Sequence, residues 1–327
     1  MTQKNIIAKL KKSGLVGRSG SCFPTGLKWE MVKKAKADKK YIVCNASEGE
    51  PKNEKDKFIL EKYPAEVVEG VKIALETIDN SSAYIYLRKD YYQKFKKKLE
   101  KLSNGLSIEF VKKIGGYLSG EETVLCNVIE GKKPEPKIKP PFPVESGIFG
   151  YPTLVCNVET FYSVSKIAKG EYKNTRFYTI AGDVKNPGVF EFFEKMSINQ
   201  ILKNTGNYPG FDFFAQVGGG ASGEILLPRE LNQSVKGAGV IIIFDSKKTD
   251  NWKLMKQWAD FFLAANCDKC VPCREGVYRI SKMIEEKKID KKLFEDILFV
   301  MRETSFCSLG KCAVIPFESL IKKILKI

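Results

Sequence analysis

Tyr41-Ile-Val-Cys44 runs straight into Asn45-Ala46-Ser47-Glu48-Gly49-Glu50-Pro51. The first four residues favour β structure and read as a short strand; the next seven form a polar loop with two carboxylates. Residues 64–78 follow as an amphipathic helix, with Pro64 in its first turn and Val67, Val68, Val71, Ala74 and Leu75 on its apolar face. Ala83-Tyr-Ile-Tyr-Leu87 is the next strand, residues 90–103 the next helix, and Ile108-Glu-Phe-Val111 a third strand. Strands alternating with helices predict a parallel sheet with crossover helices, hence an α/β domain. Such sheets bind ligands beyond the carboxyl ends of their strands. The Asn45–Pro51 loop stands at one such end and Gly115-Gly-Tyr117-Leu-Ser-Gly120-Glu121-Glu122 at another.

Upstream, residues 1–12 read as a short basic helix leading into Gly14-Leu-Val-Gly17-Arg18-Ser19-Gly20-Ser21-Cys22-Phe23-Pro24-Thr25-Gly26-Leu27-Lys28-Trp29. Four glycines, a proline and three hydroxyl residues predict a loop whose backbone N–H groups approach a ligand or simply turn the chain. Arg18 and Lys28 supply the positive charge a phosphate-bearing ligand requires. Downstream, Pro134 to Pro152 is too rich in proline for regular structure of any length and reads as a loop wrapping over a site or as a tether, and Leu154–Thr160 is expected to open a helix running to about Ala168. From Thr175 the texture changes to short β runs (Phe177–Ile180, Val189–Phe192, Ile225–Leu227, Gly237–Phe244) around a helix near Ile198–Asn204. This smaller α+β module shows no convergent reactive residues and reads as a packing or recognition unit. Residues 250–327 are helical by periodicity, with Met255, Trp258, Phe261 and Phe262 in one stripe and Leu293, Ile297 and Leu298 in another.

A chain of 327 residues with 43% hydrophobic and 29% charged residues is built for two or three globular domains. No apolar run reaches the roughly 20 residues needed to cross a bilayer, and Met1–Asn5 has no apolar stretch behind its charge. A cytoplasmic protein is expected. The net charge of +16 is spread along the whole chain rather than gathered with aromatics on one element, which argues against nucleic-acid binding. The absence of histidine excludes Ser-His-Asp and Cys-His catalysis and imidazole metal ligands.

Nine cysteines in such a chain read as metal ligands and core thiols rather than disulfides. Cys267-Asp-Lys-Cys270-Val-Pro-Cys273 has C-x2-C-x2-C spacing, with Cys307 far downstream. Three close thiolates and one remote favour a [4Fe–4S] cluster over zinc, which usually takes paired cysteines. Cys312 competes for the fourth position; the Ser308-Leu309-Gly310 turn favours Cys307. Cys44 and Cys126 read as core thiols.

Together these motifs make the chain resemble the NADH-binding flavoprotein subunit of respiratory complex I and its relatives in NAD-linked hydrogenases and formate dehydrogenases. The likeness rests on Gly17-Arg18-x-Gly20-x-x-Phe23-Pro24-Thr25-Gly26-Leu27-Lys28-Trp29, Cys44-Asn45-Ala46-x-Glu48-Gly49-Glu50-Pro51 and Gly116-Tyr117-x-x-Gly120-Glu121-Glu122-Thr123. Lys139-Pro140-Pro141-Phe142-Pro143, Asn157-Val158-Glu159-Thr160 and Cys267-x2-Cys270-x-Pro272-Cys273-Arg274-Glu275-Gly276 complete it. The resemblance implies a Rossmann-like α/β domain for FMN and NAD over residues 1–170, a β-grasp-like ligand-binding domain over 171–247, and a helical [4Fe–4S] domain over 248–327. Flavin contacts fall by the same resemblance on Gly17, Arg18, Gly20, Lys28, Asn45, Glu48, Tyr117, Gly120, Glu121 and Asn157. NAD(H) contacts fall on Phe23, Lys28, Glu50, Glu122 and Phe142, with Glu50 and Glu122 as the catalytic pair; cluster ligands are Cys267, Cys270, Cys273 and Cys307. The implied reaction moves a hydride between NAD(H) and FMN and single electrons through the cluster. The implied partners are a thioredoxin-like [2Fe–2S] subunit and a larger iron–sulfur, hydrogenase or dehydrogenase subunit. Ser19 and Cys22 stand where the family has glycine, Ser47 where it has aspartate, and Cys156 where it has asparagine. These departures open a second reading, a paralogue that keeps the cluster as relay or scaffold without flavin or NADH activity.

Overall fold

The Tyr41–Cys44 run lies at the heart of a four-stranded parallel sheet. In the computed structural model, which describes residues 5–326, the strands are β1 (Lys40–Ala46), β2 (Ser81–Leu87), β3 (Ile108–Lys112) and β4 (Thr153–Asn157), in the order β3-β2-β1-β4. Helices α1 (Ile6–Ser13), α2 (Thr25–Lys34), α3 (Lys55–Lys62), α4 (Pro64–Thr77), α5 (Lys89–Leu102), α6 (Glu122–Ile129), α7 (Pro143–Ser146) and α8 (Val158–Lys169) accompany them. The first residues of the expected basic helix, 1–4, lie outside the described residues.

Two expectations change here. Leu154–Asn157 is a strand, not the opening of a helix; α8 begins only at Val158. All five residues of β4 are buried, and a strand covered on both faces lacks the alternation that reveals strands in sequence. The glycine-rich stretch is only partly a loop, because α2 begins at Thr25. Gly26 is tolerated in that helix because a side chain would strike α1: a Cβ there would lie 2.7 Å from the Lys11 backbone N. Gly70 of α4 plays the same part against α8, where a Cβ would meet the Phe161 carbonyl oxygen at 2.1 Å.

The chain divides into two compact units. Unit 1 runs to Gly49 and includes Glu54–Gly115 and Ser119–Phe177; unit 2 takes Glu50–Asn53, Gly116–Leu118 and everything from Tyr178. Unit 2 contains a mixed sheet of β5 (Thr175–Gly182), β6 (Gly188–Phe193), β7 (Phe213–Val217), β8 (Glu224–Leu226) and β9 (Val240–Asp245), ordered β6-β5-β9-β7-β8. β5 and β9 are parallel, while β7 runs antiparallel to β8 and β9. Helix α9 (Ile198–Asn204) buries Ile198, Ile201 and Leu202 against this sheet. Four helices follow: α10 (Asn251–Ala265), α11 (Val271–Glu285), α12 (Lys291–Thr304) and α13 (Ser308–Leu320). The stripe expected at Leu293 is shifted by one, since Phe294 is buried and Leu293 exposed. Among the described residues, no helix is long and apolar enough to cross a membrane.

Candidate functional site

In unit 1, β1 pairs with β2 on one side and β4 on the other, so the chain reverses its direction of sheet growth at the β1–β4 seam. That seam is the switch point where α/β sheets open a crevice. Asn45 and Asn157 are register partners at its carboxyl end. The Asn45 amide donates to the Gly120 carbonyl (2.9 Å), and its oxygen accepts from the Ser47 hydroxyl (2.6 Å) and backbone N–H (3.1 Å). A Cβ at Gly120 would stand 2.5 Å from the Ser47 Oγ, so the two loops meet closely at the seam.

The glycine loop closes on itself. Gly17 N–H donates to the Phe23 carbonyl (2.9 Å), Thr25 N–H to the Leu15 carbonyl (2.9 Å), and Val16 bridges Pro24. This leaves Arg18–Cys22 as a tip in which Gly20 (φ +106°) and Cys22 (φ +51°) take positive φ. Cys22 thus adopts the left-handed backbone that suits glycine, at a cost of about 1–2 kcal/mol. Ser19 is not among the positive-φ residues. Arg18 turns inward and is buried; its backbone N–H reaches the Thr160 hydroxyl (3.3 Å) and its guanidinium the Tyr172 hydroxyl (2.9 Å). Phe23, Leu27 and Met31 are exposed at four-residue spacing, and Phe142, also exposed, precedes α7, which packs on α2.

Lys28, in the first turn of α2, reaches Glu122 (3.2 Å). Lys139 bridges Glu121 (3.0 Å) and Glu122 (3.1 Å). Burial works to raise the Glu122 pKa, but Lys28 and Lys139 outweigh it and hold the carboxyl below its ordinary range. Glu122 is therefore ionised near neutral pH and accepts hydrogen bonds rather than donating a proton. Glu121 caps α6, taking the N–H groups of Thr123 (2.8 Å) and Val124 (3.1 Å). Lys139 was not among the expected contacts, although it lies inside the quoted Lys139–Pro143 motif.

Glu48 and Asn157 are committed to a buried network that sequence reasoning did not foresee. Glu48 accepts the Asp56 N–H (3.0 Å), the Lys57 N–H (3.4 Å) and the Tyr91 hydroxyl (2.6 Å), so it anchors the start of α3. Lys55, fully buried, contacts Asp56 (2.5 Å), Asn157 (3.0 Å) and Glu159 (3.4 Å). Asn157 also donates to Asp56 (2.7 Å) and caps α8 through the Glu159 N–H (3.0 Å). Burial first, then the Asp56 charge, pushes the Glu48 carboxyl up to about 7 against the pull of Lys55. Nothing in residue spacing signals this network, because its members come from three separate segments.

Unit 2 holds the remaining candidates. Both Glu50 carboxylate oxygens are engaged: Oε1 accepts from the Tyr117 hydroxyl (2.8 Å) and Ser222 hydroxyl (2.7 Å), Oε2 from the Ala221 N–H (3.1 Å). The Gly218-Gly-Gly-Ala-Ser-Gly223 turn between β7 and β8 therefore takes part in the site. The module is expected from sequence to show no convergent reactive residues; the sequence signal for this turn is its glycine run, whose backbone N–H groups can meet a carboxylate.

The cysteines of the C-x2-C-x2-C turn gather at helix starts. Cys270 is the N-cap of α11, Cys273 lies in its first turn, and Cys307 is the N-cap of α13. A Cβ at Gly310 would stand 3.1 Å from the Cys273 Cβ, so the Cys307 turn sits on the Cys270–Cys273 turn. Burial and then the thiols of Cys270, Cys307 and Cys267 raise the Cys273 pKa, whereas Cys312 is raised by burial and by Glu50. Among the described residues, no three His, Cys, Asp or Glu side chains converge on a single metal ion. The donor set fits an anionic iron–sulfur cluster: four thiols, two helix N-termini to favour negative charge, and close glycine packing. The flavin elements fit as well, with a switch point in the parallel sheet, a closed glycine loop and a buried Thr25 hydroxyl lacking a protein partner at the start of α2. Burial raises the Tyr117 hydroxyl most, with the Glu50 carboxylate that it donates to (2.8 Å) and the thiols of Cys312 and Cys307 adding to it.

Comparison with known proteins agrees with this anatomy. Residues 10–166 match the Nuo51 FMN-binding domain, and residues 253–325 match the NADH-ubiquinone oxidoreductase-F iron-sulfur binding region. An NADH-quinone oxidoreductase subunit of Rhizobium meliloti is 30% identical, across 98% of this chain and 87% of that protein. The alpha subunit of the NAD-reducing hydrogenase HoxS of Cupriavidus necator is 32% identical, across 98% and 59%. A crystal structure of an NAD+-reducing [NiFe]-hydrogenase in the H2-reduced state superposes with a TM-score of 0.91 at 29% identity, covering 98% of this chain and 61% of the other.

Proposed function

This chain belongs to the family of FMN- and [4Fe–4S]-binding oxidoreductase subunits represented in NADH-quinone oxidoreductases, and from that premise we propose that it exchanges electrons between NAD(P)H and partner iron–sulfur proteins. The observation that carries the reading is the packing of the Cys307 turn on the Cys270–Cys273 turn, with both at helix N-termini. It supports a cluster held by thiols whose negative charge the two helix N-termini favour. Bound flavin supplies the interchange between two-electron and one-electron chemistry.

The protein's own residues bind, orient and shield. Gly17 and Gly120 let Ser21 and Ser47 pack close and Gly20 takes a positive φ, so the three shape the loops, and Asn45, Glu48 and Asn157 hold the sheet seam in shape around the flavin. Lys28, with Arg18 and Glu121 completing the flavin set, keeps Glu122 charged, so that Glu122 and Glu50 serve NAD(H) as hydrogen-bond acceptors. Phe23 and Phe142, both exposed, offer rings for stacking. Cys267, Cys270, Cys273 and Cys307 hold the cluster, with Cys312 outside the set. The proposed division of labour is residues 1–170 for flavin and nicotinamide, 171–247 for the β-grasp-like module and 248–327 for the cluster. The proposed partners are a thioredoxin-like [2Fe–2S] subunit and a larger iron–sulfur, hydrogenase or dehydrogenase subunit.

One observation favours the relay-only alternative: Arg18 is turned into the interior. Anaerobic purification decides between the two. The proposed function expects FMN, roughly four iron and four sulfide per chain, and NADH-dependent reduction of an artificial acceptor. Full iron without flavin retention at micromolar FMN establishes the relay instead.

A further inference from the structure

We propose that Ser222 and the glycine turn around it are the positioning device for Glu50, which makes the β module a working part of the nicotinamide-nucleotide site. The inference rests on the reading of Glu50 as an NAD(H)-facing acceptor. Glutamate is long and flexible, and an ionised carboxylate has about four acceptor sites. In unit 2 three of those are taken, two on Oε1 by Tyr117 and Ser222 and one on Oε2 by the Ala221 N–H. The half-buried carboxylate is thereby held in one orientation with one acceptor site left on Oε2. That remaining site matches a single hydroxyl or amide donor, groups that a nicotinamide nucleotide carries on its riboses and carboxamide.

The turn is shaped for this purpose. A Cβ at Gly219 would stand 2.6 Å from the Glu50 carboxylate, and one at Gly220 would stand 1.9 Å from the Pro51 carbonyl oxygen. Glycine at 220 lets the turn seat against the Pro51 backbone, and glycine at 219 leaves the Glu50 carboxylate its place. The far end of the segment is pinned too, since the Thr179 hydroxyl donates to the Asn53 side chain (2.9 Å). Tyr117, the third donor, is fixed edge-on to Phe261 of α10 with ring centroids 4.9 Å apart. Ser222 touches no cofactor in this scheme; it acts through Glu50.

The test uses the full chain loaded with flavin and cluster. NAD+ affinity is measured by calorimetric titration, and KM and kcat for NADH by dye reduction, with iron content monitored throughout. Ser222→Ala is expected to weaken NAD+ binding and raise KM about tenfold, as for a lost hydrogen bond to a charged group, with kcat within about twofold. Ser222→Thr is expected to restore both, and Ser222→Val, equal in shape to threonine without its hydroxyl, is not. Adding Ser222→Ala to Glu50→Gln should weaken binding no further. If Ser222→Ala and Ser222→Val bind NAD+ as the parent does while Glu50→Gln binds weakly, the positioning role is overturned and the reading of Glu50 survives. Parental binding by Glu50→Gln as well overturns both.

Discussion

Glu48 and Glu50 sit two residues apart, yet they belong to different units and do opposite work. Glu48 is buried in unit 1 and spends its oxygens on the α3 backbone and on Tyr91. Glu50 is half-buried in unit 2 and is held by a phenol, a hydroxyl and one amide. Identical side chains become scaffold or site according to what surrounds them. Burial among charges raises the Glu48 carboxyl and ties it to stability, whereas partial exposure leaves Glu50 an acceptor site for a ligand.

The harshest way to break the contrast is to remove the cation beneath Glu48. Lys55→Met leaves Asp56 and Glu159 buried without their common partner. A loss of about 3–5 kcal/mol is expected in urea unfolding of unit 1. A loss below about 1 kcal/mol would show that the network is not a structural keystone. Next in size, Glu50→Gln should weaken NAD+ binding about tenfold, because a neutral amide is a poorer acceptor. Its stability should change by less than about 1 kcal/mol, since the held carboxylate is only half-buried. An unfolding midpoint shifted as far as that of Lys55→Met would erase the distinction between the two carboxylates.

pH sharpens the comparison further. The folded Glu48 pKa lies above its ordinary value of 4.5, at about 7. The folded state therefore binds more protons than the unfolded chain between those values. The Glu48 contribution is fully present below about 4.5 and is lost as pH rises through about 7. Glu48→Gln should flatten the fall in stability across that window; denaturant midpoints at half-unit pH steps would show it. The smallest effect is expected at Lys139, about a quarter exposed. Lys139→Ala should cost about 1 kcal/mol or less of stability, while releasing Glu122 upward from its depressed pKa. A pH titration of NADH KM in that variant should show an added acidic limb absent from the parent.

Much of this is legible in the chain alone. The alternation of strand and helix announces the parallel sheet, because each strand's residue type and each helix's apolar face are local properties. The C-x2-C-x2-C spacing points to a cluster for the same reason: three thiols within seven residues need no fold to bring them near one another. β4 is hidden because double-sided burial removes periodicity. Lys55, Asp56 and Glu159 are hidden because no rule of spacing joins residues 56 and 159. Cys22 illustrates the middle ground. Its sequence announces a departure from glycine, but only its φ of +51° shows that the backbone kept the glycine conformation.

The sequence by itself determined the class of sheet and the family, since both are written in short-range pattern. Tertiary structure alone decided which carboxylate is buried in the α3 network and which is held half-exposed, that Arg18 faces inward, and that a glycine turn between β7 and β8 grips Glu50. Hydrogen bonds and desolvation act over a few ångströms in space, and only folding sets those distances.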